Sequence, residues 1–408
     1  MVRQEDELYH KIILIPIRRT YSSMKKICFL TDSIFTIGGV QRVTAVVAKE
    51  LAKDYDVTIV TLDKPELEDT SLYKLQEADI HYRFFSYPNT PQGKNYLCKG
   101  YSYLYRKILP QTRFTSNLYA HSSFPSEKRD ALVKELRSGE YDVIIGVHAP
   151  LAVRLAACKS QLGNTKLIGW IHNSHKALFN SNSRYLGPEL RKHYEWQLEK
   201  LYKTIVLCHY DAKEYKIPTQ VVYNPLTLKQ GAPSLGTSKK FLAVGRFSPL
   251  HKGFDILIQA FALFTNSNKE WTLDIVGEGE EEEAFRNLIN KVHMEGRISI
   301  HPFTSNIQQY YSEAQVYILS SRWEGMPLVL MEAMSHGLPV VSSDLPVCKE
   351  IMSDFAIYFK NGDINDLTRS LKDATEIDWE RKSKEALSIA RRFNVATITD
   401  QWRKLIDE

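Results

Sequence analysis

From Met24 to the C-terminus, short runs of β-branched and apolar residues alternate with longer stretches whose apolar positions recur at helical spacing, and the series restarts once midway. Such runs suit single strands, and the amphipathic stretches between them are what a parallel sheet needs to return the chain to its starting edge. Expected strands are 27–30, 57–62, 143–146, 167–171, 204–207 and 221–223, then 241–244, 273–276, 298–300, 316–319 and 340–342. A helix over 41–53 puts Val43, Val46, Val47 and Leu51 on one face, and Ser126 caps another over 127–136. Further helices are expected at 254–264, 280–292, 330–336 and 364–375, and the Gly-, Pro-, Ser- and Thr-rich stretch 228–239 reads as a linker. The predicted fold class is α/β, with two Rossmann-like doubly wound domains. Ligands of such sheets bind beyond the carboxyl ends of the strands, so the expected site is a cleft between the two.

A chain of 408 residues is longer than one hydrophobic core usually serves, and 43% apolar with 25% charged residues suits a globular protein. The longest stretch free of Asp, Glu, Lys and Arg, Ile298–Ser312, is rich in polar residues and excludes a spanning helix. The apolar run Ile12–Ile17 is too short for a signal-peptide core, and residues 1–23 read as an N-terminal extension without a period. Five scattered cysteines with no Cys-x-x-Cys pair argue against zinc or redox chemistry and fit a reduced, cytoplasmic setting. Cys28 and Cys208, in apolar runs, read as core. The net charge of +5 is uneven, because ten basic and three acidic residues between Arg83 and Arg137 give that segment +7. With Tyr96, Tyr101, Tyr103, Tyr105 and Phe114 interspersed, the segment suits an anionic membrane surface or a phosphate-bearing partner, or else is a solvated loop and helix face. No nucleic-acid partner is expected.

The most informative stretch runs from Trp323 to Val341, where a strand gives way to a helix. Gly325, Met326 and Pro327 make a tight approach, after which the backbone N–H groups of Leu328, Val329 and Leu330 can face a diphosphate. Glu332, one turn into the helix, can accept two ribose hydroxyls, and Glu324, just before the turn, can reach another part of the same ligand. Glu332 is flanked by apolar residues, and a carboxylate in such surroundings needs partners. A second element follows the strand 241–244, where Arg246 offers a planar fork and Lys252 a compact charge to a diphosphate. Gly38 and Gly39 link the first strand to its helix and allow close backbone approach, and the helix N-terminus favours an anion, but Gly-x-Gly-x-x-Gly is absent, so the loop is a weak NAD signal. His172 ends the strand 167–171, with His148 and His175 at or near comparable positions.

Together these motifs resemble the family-four retaining glycosyltransferases of the GT-B fold, over nearly everything from Met24 onward. Glu324 and Glu332 match the family's Glu-x7-Glu motif, and Gly245, Arg246, Lys252 and Gly253 match its Gly-Arg…Lys-Gly element. Gly38 and Gly39 match its N-terminal loop, His172 its cleft histidine, Asn224-Pro225 its interdomain crossing, and Val276 to Gly279, with Gly277, its nucleoside-side loop. The resemblance implies that Glu332 binds ribose, Arg246 and Lys252 hold the diphosphate, Glu324 orients the donor sugar, and Val329 and Leu330 supply backbone donors. His172, Glu324, Arg246 and Lys252 are the expected catalytic group. It further implies an acceptor domain over 24–226, a donor domain over 227–394, and a last helix within 395–408 returning to the first domain.

The expected reaction moves a hexose or N-acetylhexosamine from a nucleotide diphosphate sugar, UDP-linked or alternatively GDP-linked, to a glycan or lipid-diphosphate-linked acceptor in surface polysaccharide assembly. The expected location is cytoplasmic or peripheral on the inner face of the cell membrane. A nucleotide-sugar epimerase of the same fold, or a noncatalytic sugar-nucleotide-binding subunit, are the alternatives. No cofactor or metal is expected. Asp54-Tyr55-Asp56 resembles the metal-holding Asp-x-Asp of other sugar transferases, but it precedes a strand, on the edge away from the cleft.

Overall fold

The computed structural model describes residues 24–408 except 182, 184, 229 and 230, so the N-terminal extension and part of the linker lie outside the described residues. Two parallel sheets form. The first contains β1 Lys26–Thr31, β2 Asp56–Thr61, β3 Ile80–Phe84, β4 Val143–Val147, β5 Lys166–Trp170, β6 Lys203–Val206 and β7 Gln220–Val221, in the order β3-β2-β1-β4-β5-β6-β7. The second contains β8 Lys240–Val244, β9 Thr272–Val276, β10 Ile298–His301, β11 Val316–Leu319, β12 Val340–Ser343 and β13 Ile357–Phe359, in the order β10-β9-β8-β11-β12-β13. Each order reverses once, between β1 and β4 and between β8 and β11. A crevice opens at each reversal, because the connections leave the sheet on opposite faces there.

The central strands are buried throughout, as β1 (Ile27 to Leu30) and β4 (Val143 to Val147) show, because helices cover both faces. The edge strands β3 and β13 escaped the sequence reading. In β3, Ile80 alone is buried among His81, Tyr82, Arg83 and Phe84, so its apolar pattern is weak. The helix expected over 330–336 begins two residues earlier, at Leu328, and that over 280–292 begins at Glu282.

The last helix, Val395–Asp407, packs on the first sheet's side through Ile398, Trp402, Leu405 and Ile406, all buried. Trp402 meets Trp170 of β5 edge to face, ring centroids 4.7 Å apart. Asp54 binds Arg403 at 2.9 Å and the Tyr55 hydroxyl donates to Asp407 at 2.8 Å, so Asp54 and Tyr55 anchor this return helix just before β2. Cys28 and Cys208 are buried, and all five cysteines are free thiols.

Candidate active site

The loops after the reversal strands meet across the cleft. After β8 comes Gly245-Arg246, and the chain then bends back so that Lys252 precedes the helix Phe254–Phe264. Gly253 makes that bend with φ of +65°, and a Cβ there would collide with the Ser320 carbonyl at the end of β11. Glycine is needed at this point because the conformation is left-handed and there is no room. The bend sets the Lys252 ammonium 2.7 Å from Glu324, whose other oxygen lies 4.0 Å from His251, and Ser321 donates to Glu324 at 2.6 Å. The Glu324 side chain is only 8% exposed. Burial opposes its ionisation more than any other single influence, yet Lys252, His251 and Ser321 together outweigh it and hold the carboxyl below the usual glutamate range. His251 stacks on Trp323 and is tied to its carbonyl at 3.0 Å, while Arg322 forks onto Asp255, so the loops after β8 and β11 form one block.

Gly277, after β9, leaves no room for a Cβ against the Gly245 carbonyl, which packs the loop of residues 276–279 beside Arg246. Exposed Arg246 reaches the other half, its Nη2 3.5 Å from the Ile37 carbonyl in the loop before Gly38. From the same half, Gly39 lies against Leu328, where a Cβ would come 3.4 Å from Cδ1. Gly325 backs onto the His172 carbonyl too closely for any side chain, and Met326 accepts the Asn224 N–H at 3.0 Å.

His172 lies beyond the end of β5, buried, with its ring 4.3 Å from Trp170 and 5.4 Å from His148. Burial, then the neighbouring His148, holds its pKa well below that of a free imidazole, so the ring is neutral at pH 7. Its Nε2 has no partner among the described residues. His148 itself takes a positive φ of 76° where β4 turns into the next helix.

Three groups at these motifs already have partners within the protein. The Gly38 N–H does not stand free for an anion, since it donates to the Tyr73 hydroxyl at 2.8 Å. The Leu330 N–H donates to the Pro327 carbonyl at 3.2 Å, because the helix Leu328–Ser335 opens on a tight turn, which leaves Leu328 and Val329 as its first-turn donors. The Glu332 carboxylate is already occupied. It is 1% exposed and ion-paired with Arg42 from the other half, and it accepts from Thr227 at 3.2 Å and from Tyr311 at 3.1 Å. A carboxylate at such depth requires these donors.

Residues 37–229 match the family Glycosyltransferase Family 4, and residues 227–391 match Glycosyl transferases group 1. The chain belongs to the family-four glycosyltransferases of the GT-B fold. An uncharacterized glycosyltransferase of Haemophilus influenzae is 27% identical over 399 residues, covering 94% of this chain and all of the relative. The lipopolysaccharide 1,6-galactosyltransferase of Salmonella typhimurium is 31% identical over 131 residues, 30% of this chain and 36% of that one. Among solved structures, Anabaena HepE in complex with UDP superposes with a TM-score of 0.71 at 18% identity, covering 94% of this chain and 99% of that one. TarM does so with 0.73 at 14%, covering 96% and 100%.

In this glycosyltransferase the sequence reading missed Arg42, Thr227, Tyr311, Ser321 and His251, all of which touch a motif residue. Arg42 and His251 carried a signal, since one lies a turn after the glycine pair and the other beside Lys252. Tyr311 carried none, because a buried tyrosine in a helix reads as core. Five of the ten basic residues in the 83–137 segment form ion pairs, namely Arg83, Lys94, Arg106, Arg113 and Arg129, so less of its charge is available than the sequence implied.

Proposed function

We propose that this glycosyltransferase moves a hexose or N-acetylhexosamine from a UDP-sugar, with retention of anomeric configuration, to a hydroxyl of a glycan or lipid-diphosphate-linked acceptor in surface polysaccharide assembly. The observation that carries this is the convergence of Arg246, Lys252 and Glu324 at the β8/β11 reversal, opposite the glycine loop and His172. Lys252 and Arg246 stabilise the charge that grows on the departing diphosphate, where cations act most strongly on the rate. Leu328 and Val329 add first-turn N–H groups, Gly277 borders the nucleoside, and Glu332 binds ribose. Glu324 orients the sugar, and neutral His172 flanks its reacting face. The second half thus serves the donor and the first half the acceptor. The UDP held by HepE and the lipopolysaccharide named for the Salmonella relative support these donor and acceptor classes.

No divalent metal is needed on this reading, because two cations and a helix N-terminus meet the diphosphate charge. The test is nucleotide release from a panel of UDP- and GDP-sugars, before and after exhaustive EDTA treatment. Turnover of a UDP-sugar that survives EDTA is expected. Preference for a GDP-sugar, an epimerised donor as the product, or activity restored only by added metal refutes the corresponding part.

No helix among the described residues is long and apolar enough to cross a membrane. The partner surface we assign lies instead on the helix Gln92–Lys107 and the turn after it. Tyr96, Leu97, Tyr103 and Ile108 share its outward face with Lys107, and Phe114 stands nearby, these five apolar side chains being 62–77% exposed. An apolar stripe beside lysine fits the interface of an anionic bilayer. Sedimentation with anionic vesicles at low and high salt tests it. Salt-weakened binding, lost in Leu97→Asp/Tyr103→Asp, is expected, and absence of binding at both salts overturns it.

A further inference from the structure

The two halves of the cleft are joined at the carboxylate that the proposed function gives to ribose. Glu332 Oε1 takes Arg42 and Thr227, and Oε2 takes the Tyr311 hydroxyl. A carboxylate offers about four lone-pair sites. Three are filled, and a ribose diol brings two further donors, so at least one present partner must leave when a nucleotide binds. Tyr311 is fully buried and belongs to the same half as Glu332, and Thr227 sits on the crossing segment. Arg42 differs from both. It comes from the helix Gly39–Leu51 of the opposite half, its side chain is 25% exposed, and its Nε–H is buried without a partner among the described residues. Of the three donors, Arg42 is the cation, and it has a path to solvent, where its charge stays hydrated once it leaves the carboxylate. Around it the walls already touch, through Arg246 and Ile37, Gly39 and Leu328, and Gly325 and His172, where a donor would enter.

We propose that Arg42 is a positioning residue that latches the empty cleft by occupying Glu332, and that donor binding displaces it. The latch rests on the reading of Glu332 as the ribose carboxylate. Removing it raises donor affinity, because bound donor no longer competes with an internal cation and the free enzyme keeps Glu332 ready. If the latch is closed about nine-tenths of the time, its loss tightens binding about tenfold.

The experiment is calorimetric titration of the wild type, Arg42→Met and Thr227→Val with UDP and GDP, and with their 2′,3′-dideoxy forms. The expected result is a nucleoside diphosphate that binds Arg42→Met about tenfold more tightly than wild type, with no such gain for the dideoxy form. Arg42→Lys, which keeps the charge and shortens the reach, shows the same direction and serves if the methionine variant does not fold. Unchanged or weaker binding in the Arg42 variants, while wild type still prefers the ribose form, overturns the latch and leaves the Glu332 reading standing. A gain in Thr227→Val alone also overturns it, by showing that another donor is displaced. Equal binding of ribose and dideoxy forms by wild type, or no binding of either diphosphate, refutes the Glu332 reading and the latch with it.

Discussion

Lys252 does two things that can be separated by measurement. Its ammonium holds the buried Glu324 carboxylate, and on the proposed mechanism it meets the leaving diphosphate. Lys252→Ala is expected to lower kcat on the order of 10²-fold at saturating donor. It also lowers the melting temperature, because a buried carboxylate without its cation costs about 3–5 kcal/mol. Steady-state kinetics on protein checked by circular dichroism reads both, and an unchanged kcat would remove Lys252 from the chemistry. Gly253 acts on the same bend without touching substrate. Gly253→Ala forces a side chain into a left-handed φ against the Ser320 carbonyl, so it should cost about 1–3 kcal/mol and misplace Lys252. Chemical denaturation measures the first effect and kcat the second, and a variant as stable as wild type would show that the loop relaxes freely.

At the scale of elements, the return helix Val395–Asp407 does most to hold the first half to the end of the chain. Trp402 is fully buried against Trp170 of β5, two residues before His172. Trp402→Ala empties a large site and is expected to destabilise the protein by about 3–5 kcal/mol. Activity should fall as well, since Trp170 packs on the His172 ring. Thermal unfolding and turnover are the readouts, and full activity in a destabilised variant would separate the helix from the site. The family resemblance implied this helix and its return to the first domain, but not the pairing of Trp402 with Trp170, because the two are far apart in the chain and nothing local pairs them. The same holds for the helix Gln92–Lys107, whose apolar positions read as a mixed loop and helix face until packing showed which of them point outward.

For the whole molecule, pH provides a test of how the histidines are buried. Burial lowers the pKa of His148, His172 and His193, the last to about 4, where Ser116 is its hydrogen-bonding partner at 2.9 Å. In the unfolded chain these rings take protons below about pH 6.5. Between that pH and about 4 the unfolded state therefore binds more protons than the native one, and stability falls as pH falls. His193 alone accounts for about 3 kcal/mol across that window. Denaturation midpoints measured from pH 7 to pH 4 should decline steadily, and the decline should shrink in His193→Gln. A flat profile would mean that these rings are solvated.

The amino-acid sequence by itself determined the two parallel sheets, the positions of their central strands along the chain, and the presence of Arg246, Lys252, Glu324 and His172 at or just beyond strand ends. Those properties follow from apolar periodicity and from residues close to one another along the chain. The edge strand β3 was not legible, because it is paired on one side, half exposed, and carries little apolar pattern. Tertiary structure alone decided which donors are spent. Whether Gly38 meets an anion or Tyr73, and whether Glu332 is open or held by Arg42, depends on residues up to 290 positions apart brought together by packing. Buried polar groups must find partners wherever the fold puts them, and a local pattern carries no record of that choice.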